Sequence, residues 1–152
     1  MRRADREIKD RAEIDGILAT AEVIHLGLFD GTEPYVVPMT FGYADGCIYL
    51  HGALEGRKVD ILKAHPRVCF ETYTDYEIVR GPVACSFSTK YRSVIGYGVA
   101  SFVTDRQAKV NALDCMMSKF APGPYHYNEE ALVRTNIIRI EIESMTGKKL
   151  GY

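Results

Sequence analysis

Two Asp-Gly pairs, Asp30-Gly31 and Asp45-Gly46, stand between runs of β-branched and aromatic residues, and they constrain the chain more than any other feature. Asp-Gly readily adopts the positive φ angles of a tight hairpin turn, whose twist matches that of the strands it joins. The runs 23–29 and 35–43 are therefore expected to pair antiparallel, and 47–51 to extend the same meander by a third strand. Pro38 falls inside the second run and has no N–H to give to a ladder. It marks an edge, a bulge, or a stretch whose backbone serves something other than a neighbouring strand.

The remaining pattern sets helices around this meander. Asp10 and Glu13 have the spacing of a capping box, and Ile14, Ile17, Leu18 and Ala21 share one face, so 10–21 is expected to be a short amphipathic helix. After Gly56 the apolar period changes: Val59, Ile61, Leu62 and Ala64 make a second short helix, ended by His65-Pro66. Strand signal returns at 67–73 and across 79–103, where two or three strands fit and where Gly96 and Gly98 suit sharp bends. Thr104 and Gln107 suggest another capping box for a helix over 105–120, stopped by Pro122-Gly123-Pro124. From Ile138 onward the last run alternates Ile with polar residues, and this strand is expected to close the sheet near Thr146-Gly147. The fold class is thus mainly β with peripheral helices (α+β), and the best architecture is a small closed antiparallel barrel. At 152 residues, with no linker or repeat, one domain over 1–152 is expected.

Charge and cysteine usage exclude several functions. Nineteen Lys and Arg stand against 20 Asp and Glu, so no global basic field exists to gather nucleic acid or a membrane surface, and any anion site must be local. The N-terminal stretch is charged and no run reaches the length of a membrane span, which points to the cytoplasm. Cys47, Cys69, Cys85 and Cys115 are widely spaced, without a Cys-x-x-Cys pair or a His at ligand spacing, so no metal site is expected. Cys47, Cys69 and Cys85 lie in apolar strand-like contexts that suit buried thiols.

Three segments could carry chemistry. The first, 51–58, reads His-Gly-Ala-Leu-Glu-Gly-Arg-Lys: it leaves a strand, passes two glycines and enters a helix with Arg57 and Lys58 in its first turn. Cations there oppose the helix dipole, an arrangement that makes sense if an anion sits between them and the free N–H groups. A solvated basic turn neutralised by Glu55 or Asp60 fits the local sequence equally well. Val59 after the Lys excludes the usual nucleotide triphosphate loop. The second segment, 37–42, could offer unpaired backbone groups to a flat heterocycle, or could simply be an edge strand. The third, 90–98, mixes a cation, a hydroxyl and close glycines. Of four histidines, only His51 adjoins the anion segment, and it is the candidate for acid–base work.

In this order the segments resemble the pyridoxamine 5'-phosphate oxidase-like FMN-binding split barrels, and specifically their nitroimidazole-resistance branch. The resemblance rests on the opening Arg2 to Ile8, the run Pro34 to Met39, the strand end Tyr49 to Ala53 with Gly56, Arg57 and Lys58, the run Tyr91 to Gly96, and the terminal Met145 to Lys149. It implies a six-stranded antiparallel split β-barrel that forms a homodimer with FMN at the interface. By position, Pro38, Met39, Thr40 and Phe41 would line the isoalloxazine through their backbone. The strand end and turn (His51, Gly52, Ala53, Gly56) would border the cofactor, with Arg57 and Lys58 on its phosphate. Ser93 and Val94 would complete the site, and His51 would lie near the reactive side of the ring. The implied activity is an oxidoreductase passing hydride from flavin N5 to a small electron-poor acceptor such as a nitroimidazole. The alternative is a non-catalytic flavin, haem or deazaflavin binding protein of the same fold. The chain has no Trp and ends Leu150-Gly151-Tyr152, so the C-terminal signature for vitamin B6 oxidation is missing. The Ser or Cys usual after the strand-end His is Gly52.

Overall fold

A computed structural model describes residues 3–152, so Arg2 of the opening motif lies outside the described residues. Eight strands form one antiparallel sheet in the order β3-β2-β6-β7-β8-β5-β4, with β1 paired to β8. The strands are β1 Glu7–Ile8, β2 Val23–Phe29, β3 Pro34–Thr40, β4 Gly42–Ala44, β5 Cys47–Gly52, β6 Arg67–Val79, β7 Ser88–Val103 and β8 Asn136–Leu150. The helices are α1 Arg11–Thr20, α2 Arg57–Ala64, α3 Arg106–Met117 and α4 Glu129–Val133.

Both expected hairpins form. Val23 to Phe29 pair with Thr40 back to Pro34, and Gly42 to Ala44 pair with Tyr49 back to Cys47. At the second turn Asp45 and Gly46 both have positive φ, 53° and 72°, as the Asp-Gly pair predicts. The meander differs in one respect. The run 35–43 is two strands, broken at Phe41, whose ring is fully buried. The chain turns a corner there because the side chain is drawn into the core while the strands on either side of it pair with different neighbours. β3 thereby becomes one end of the sheet and β4 the other. No ladder joins β3 to β5, and the barrel is split along that seam. Pro38 lies on the edge strand β3, facing His25 of β2 on its paired side.

The core explains the remaining elements. Inward residues of β2, β5, β6 and β8 (Ile24, Leu26, Ile48, Leu50, Phe70, Ile140) are fully buried, and α1 adds Ile14, Ile17 and Leu18. The region 79–103 holds one sixteen-residue strand, β7, instead of two or three. Its inward positions are small because a Cβ at Gly96 would run into the Phe70 ring and lie 2.8 Å from the Ser144 carbonyl oxygen. A register shift follows between Tyr97 and Gly98. β8 runs to Leu150, beyond the expected end at Gly147, because β7 pairs with it throughout. The short helix α4 has no counterpart in the sequence pattern. Asn128 caps it through its side chain.

Two capping expectations are corrected. Asp10 caps α1 through the Ala12 N–H, but Glu13 turns away to Lys149 and Arg92. The cap of α3 is Asp105, accepting from the Ala108 N–H, while Gln107 bonds Asn111 and not the cap. Cys85 is exposed in a 3-10 turn, unlike buried Cys47. Among the described residues, no helix is long and apolar enough to cross a membrane.

Candidate functional site

The segment 51–58 is built by the end of β5 and the start of α2. Gly56 takes φ 117°, which lets the chain reverse into the helix, and no side chain caps the helix there. The N–H groups of Arg57 and Lys58, first in the helix, precede the first helical hydrogen bonds, which begin with the Val59 and Asp60 N–H donating to the Gly56 carbonyl. Two backbone donors are thus left facing outward at the positive end of α2.

Lys58 reaches back across the barrel seam. Its Nζ donates to the Met39 sulfur of β3 at 3.2 Å, and a Cβ on Gly52 of β5 would stand 3.1 Å from the same nitrogen. Gly52 therefore leaves the space that the ammonium occupies, and β3, β5 and α2 converge on one cation. A thioether is a weak acceptor for an ammonium. Lys58 forms no carboxylate pair among the described residues, and burial lowers its pKa below the ordinary lysine value.

Arg57 is differently employed. One guanidinium nitrogen donates to Asp30 Oδ2 and Glu33 Oε2, each at 3.0 Å, and the group lies 4.9 Å from the centroid of the Tyr35 ring. Glu33 and Asp30 hold its pKa above the ordinary value. Asp30 itself is held far below the usual carboxylate range, first by the Glu33 backbone N–H, then by the Thr32 side chain and N–H and by Arg57. Neither Glu55 nor Asp60 neutralises Arg57. The acids come from the β2–β3 turn, remote in sequence.

The other expected residues divide. On β3, Pro38 and Thr40 are exposed and Met39 is half-buried, so this edge strand offers backbone and apolar surface beside Lys58. Phe41 is fully buried and can serve a ligand only through its backbone. His51 is exposed and, by strand alternation, leaves β5 on the face opposite Gly52. Ala53 is exposed, and its carbonyl accepts from the Asn136 side chain at 3.0 Å. Ser93 and Val94 lie on β7, three strands across the sheet from β3: next to them Ile95 is opposite Glu71 of β6, Glu71 is opposite His25 of β2, and His25 is opposite Pro38, a lateral step of roughly 14 Å. Val94 points into the core, and Ser93 Oγ donates weakly, at 3.5 Å, to the Lys148 carbonyl.

Sequence reasoning missed Lys119. Its ammonium donates to the carbonyls of Leu18 and Ala21, both at 2.8 Å, and covers the Phe41 ring. A lone Lys after an amphipathic helix carries no local signal of this, because its partners lie about a hundred residues away in the chain.

An antiparallel split barrel with a cation set in its seam defines the class of protein. The family model described as Pyridoxamine 5'-phosphate oxidase matches residues 10–149, and the chain belongs to that family. Among solved structures, it is similar to a proposed 5-nitroimidazole antibiotic resistance protein from Bacteroides thetaiotaomicron VPI-5482. That match has 30% identity and a TM-score of 0.84, covering 94% of this chain and 86% of the other. A flavocytochrome from Azotobacter vinelandii matches with a TM-score of 0.86 at 22% identity, over 100% of this chain and 72% of the other. An FAD and heme binding protein from Mycobacterium smegmatis matches at 0.83 and 19%, over 97% and 74%. These last two share the fold. A curated but uncharacterized protein of Rhizobium meliloti (strain 1021) is 25% identical over 64 residues, a match spanning 42% of either chain.

Proposed function

We propose that the protein is an FMN-binding oxidoreductase that reduces small electron-poor acceptors such as nitroimidazoles, and that it works as a homodimer with FMN between two copies. The observation that carries the flavin reading is Lys58: a half-buried ammonium whose partner among the described residues is a thioether, beside two outward backbone N–H groups, suits a phosphate monoester. The exposed edge strand at Pro38 to Thr40 supplies a flat backbone surface next to that cation, where an isoalloxazine can lie. Bound FMN would supply two-electron chemistry at N5. The chain's own part is to fix the phosphate on Lys58, to present the β3 backbone to the ring, and to let His51 or water deliver protons at the exposed strand end. Similarity to the proposed 5-nitroimidazole antibiotic resistance protein of B. thetaiotaomicron supports the choice of acceptor class.

The outer face of β6 and β7 supports the dimer. It exposes Tyr73, Ile95 and Tyr97, an apolar surface suited to burial against a second copy.

The deciding experiment is the absorbance spectrum of the purified protein before and after FMN is added, followed by chemical reduction and mixing with a nitroimidazole. Flavin bands and rapid re-oxidation are expected. A Soret band, or protein that ignores FMN, overturns the cofactor assignment. Bound flavin that nitro compounds and quinones leave reduced makes the protein a carrier.

A further inference from the structure

We propose that Arg57 is a positioning residue that splints the first turn of α2 to the β2–β3 turn, and that Lys58 is the side-chain cation the anionic ligand meets. This rests on the phosphate reading above and divides the work of the two adjacent cations. The sequence pairs them as equals, but the structure gives them different partners. Arg57 is bonded to Asp30 and Glu33 and lies over Tyr35, so its charge is matched by two carboxylates before any ligand arrives. A phosphate at Arg57 would compete with those two carboxylates for the guanidinium. Lys58 points the other way, into the seam, where Gly52 has no side chain and no carboxylate competes among the described residues.

The splint has a mechanical purpose. Gly56 gives the turn before α2 little stiffness, and Gly56 contributes no side-chain cap. Asp30 is itself immobilised by the Thr32 and Glu33 N–H groups, so it is a fixed post on the β2–β3 turn. Tying Arg57 to that post fixes the neighbouring N–H groups and the root of the Lys58 side chain, both of which a phosphate would use. Preorganising these donors lowers the ordering cost of binding.

A double-mutant cycle on the full chain separates positioning from direct contact, with FMN affinity read by quenching of flavin fluorescence. As a splint, Arg57 is useful only while its carboxylates are present. Arg57→Gln is then expected to cost at least about threefold less affinity in an Asp30→Asn/Glu33→Gln background, which removes both carboxylate charges, than in the wild type. As a phosphate ligand, Arg57 would be freed by that double substitution, so a smaller difference between the two backgrounds, or a greater loss in the substituted one, overturns the proposal. The cycle cancels the long-range effect of removing the two acidic charges. Amide hydrogen exchange of the flavin-free protein is the second arm. Faster exchange at the Val59 and Asp60 N–H groups is expected in Arg57→Gln and in Asp30→Asn/Glu33→Gln, and unchanged exchange in both overturns the splint. If the wild type takes up no FMN, the proposed function falls together with the ligand role of Lys58, while the exchange arm still decides whether Arg57 is a splint.

Discussion

The Lys119 ammonium stands 3.4 Å from the centroid of the Phe41 ring, at the corner where β3 becomes β4. It also closes the C-terminal end of α1 through the Leu18 and Ala21 carbonyls. One side chain from the end of α3 thus ties a helix end to the residue that splits the barrel. Burial brings its pKa down to about 8, below the unfolded value, so the folded state binds its proton less tightly than the unfolded chain. Between about pH 8 and the unfolded lysine value near 10.4 the unfolded state holds more protons, and stability rises with pH there. In paired unfolding curves the advantage of wild type over Lys119→Met should be flat below about pH 8, widen through this window, and level off above it. A constant difference would show that the site does not depress the lysine.

Lys58→Ala should weaken FMN about ten- to a hundredfold, the value of one charge-assisted hydrogen bond, and leave riboflavin affinity nearly unchanged. Riboflavin has the same ring without the phosphate. Titrating both ligands against both proteins checks this. Equal losses would mean that Lys58 contacts the ring or supports the fold, and the phosphate assignment would fail.

Asp30 offers a test of the turn that holds Arg57. Its folded pKa is depressed, so the stability it contributes is complete above the unfolded aspartate value of about 3.9 and disappears as pH falls toward the folded value. Asp30→Ala should lower Tm at neutral pH, and the difference from wild type should shrink as the solution is acidified below about pH 4. Most of the effect comes from the Glu33 and Thr32 donors. Glu33→Gln should therefore reproduce only a small part of it.

Gly96 and Gly27 make a contrasting pair on adjacent parts of the sheet. A Cβ at Gly96 meets the fully buried Phe70 ring and strand backbone, whereas one at Gly27 meets Cys69 at ordinary contact distance, 3.4 Å or more. Gly96→Ala should cost about 1–3 kcal/mol in denaturant unfolding, the usual range for overpacking. Gly27→Ala should stay within about 0.5 kcal/mol of wild type. Similar costs at both positions would show that the Phe70 side relaxes freely.

What the sequence disclosed follows the range of the interactions concerned. Asp45-Gly46 encodes its own φ angles, Pro38 excludes itself from a central ladder, and the shift of period after Gly56 marks the strand-to-helix passage. All three are local, and all three were legible. The acids that engage Arg57 lie in another turn, so a search for neighbours at Glu55 and Asp60 could not find them. Glu13 and Gln107 have capping-box spacing, yet tertiary partners or exposed neighbours claim them. Phe41 reads as one more strand aromatic, and only burial against Lys119 and the core makes it the corner. For the candidate site, the strand-to-helix passage and its two adjacent cations could be read locally; the different partners of Arg57 and Lys58 depend on contacts between elements.

The apolar outer face of β6 and β7 yields the last prediction. Ile95 is exposed on the outer face of β7, between inward Val94 and inward Gly96. If a second copy brings that face to the seam, a charge at position 95 is buried unpaired on association and opposes it strongly. Ile95→Lys should shift the protein to a monomer in light scattering and also weaken FMN by well over tenfold, with the fold intact by circular dichroism. The joint loss is the result expected if FMN lies between two copies. A monomeric variant with wild-type FMN affinity would place the whole site within one chain.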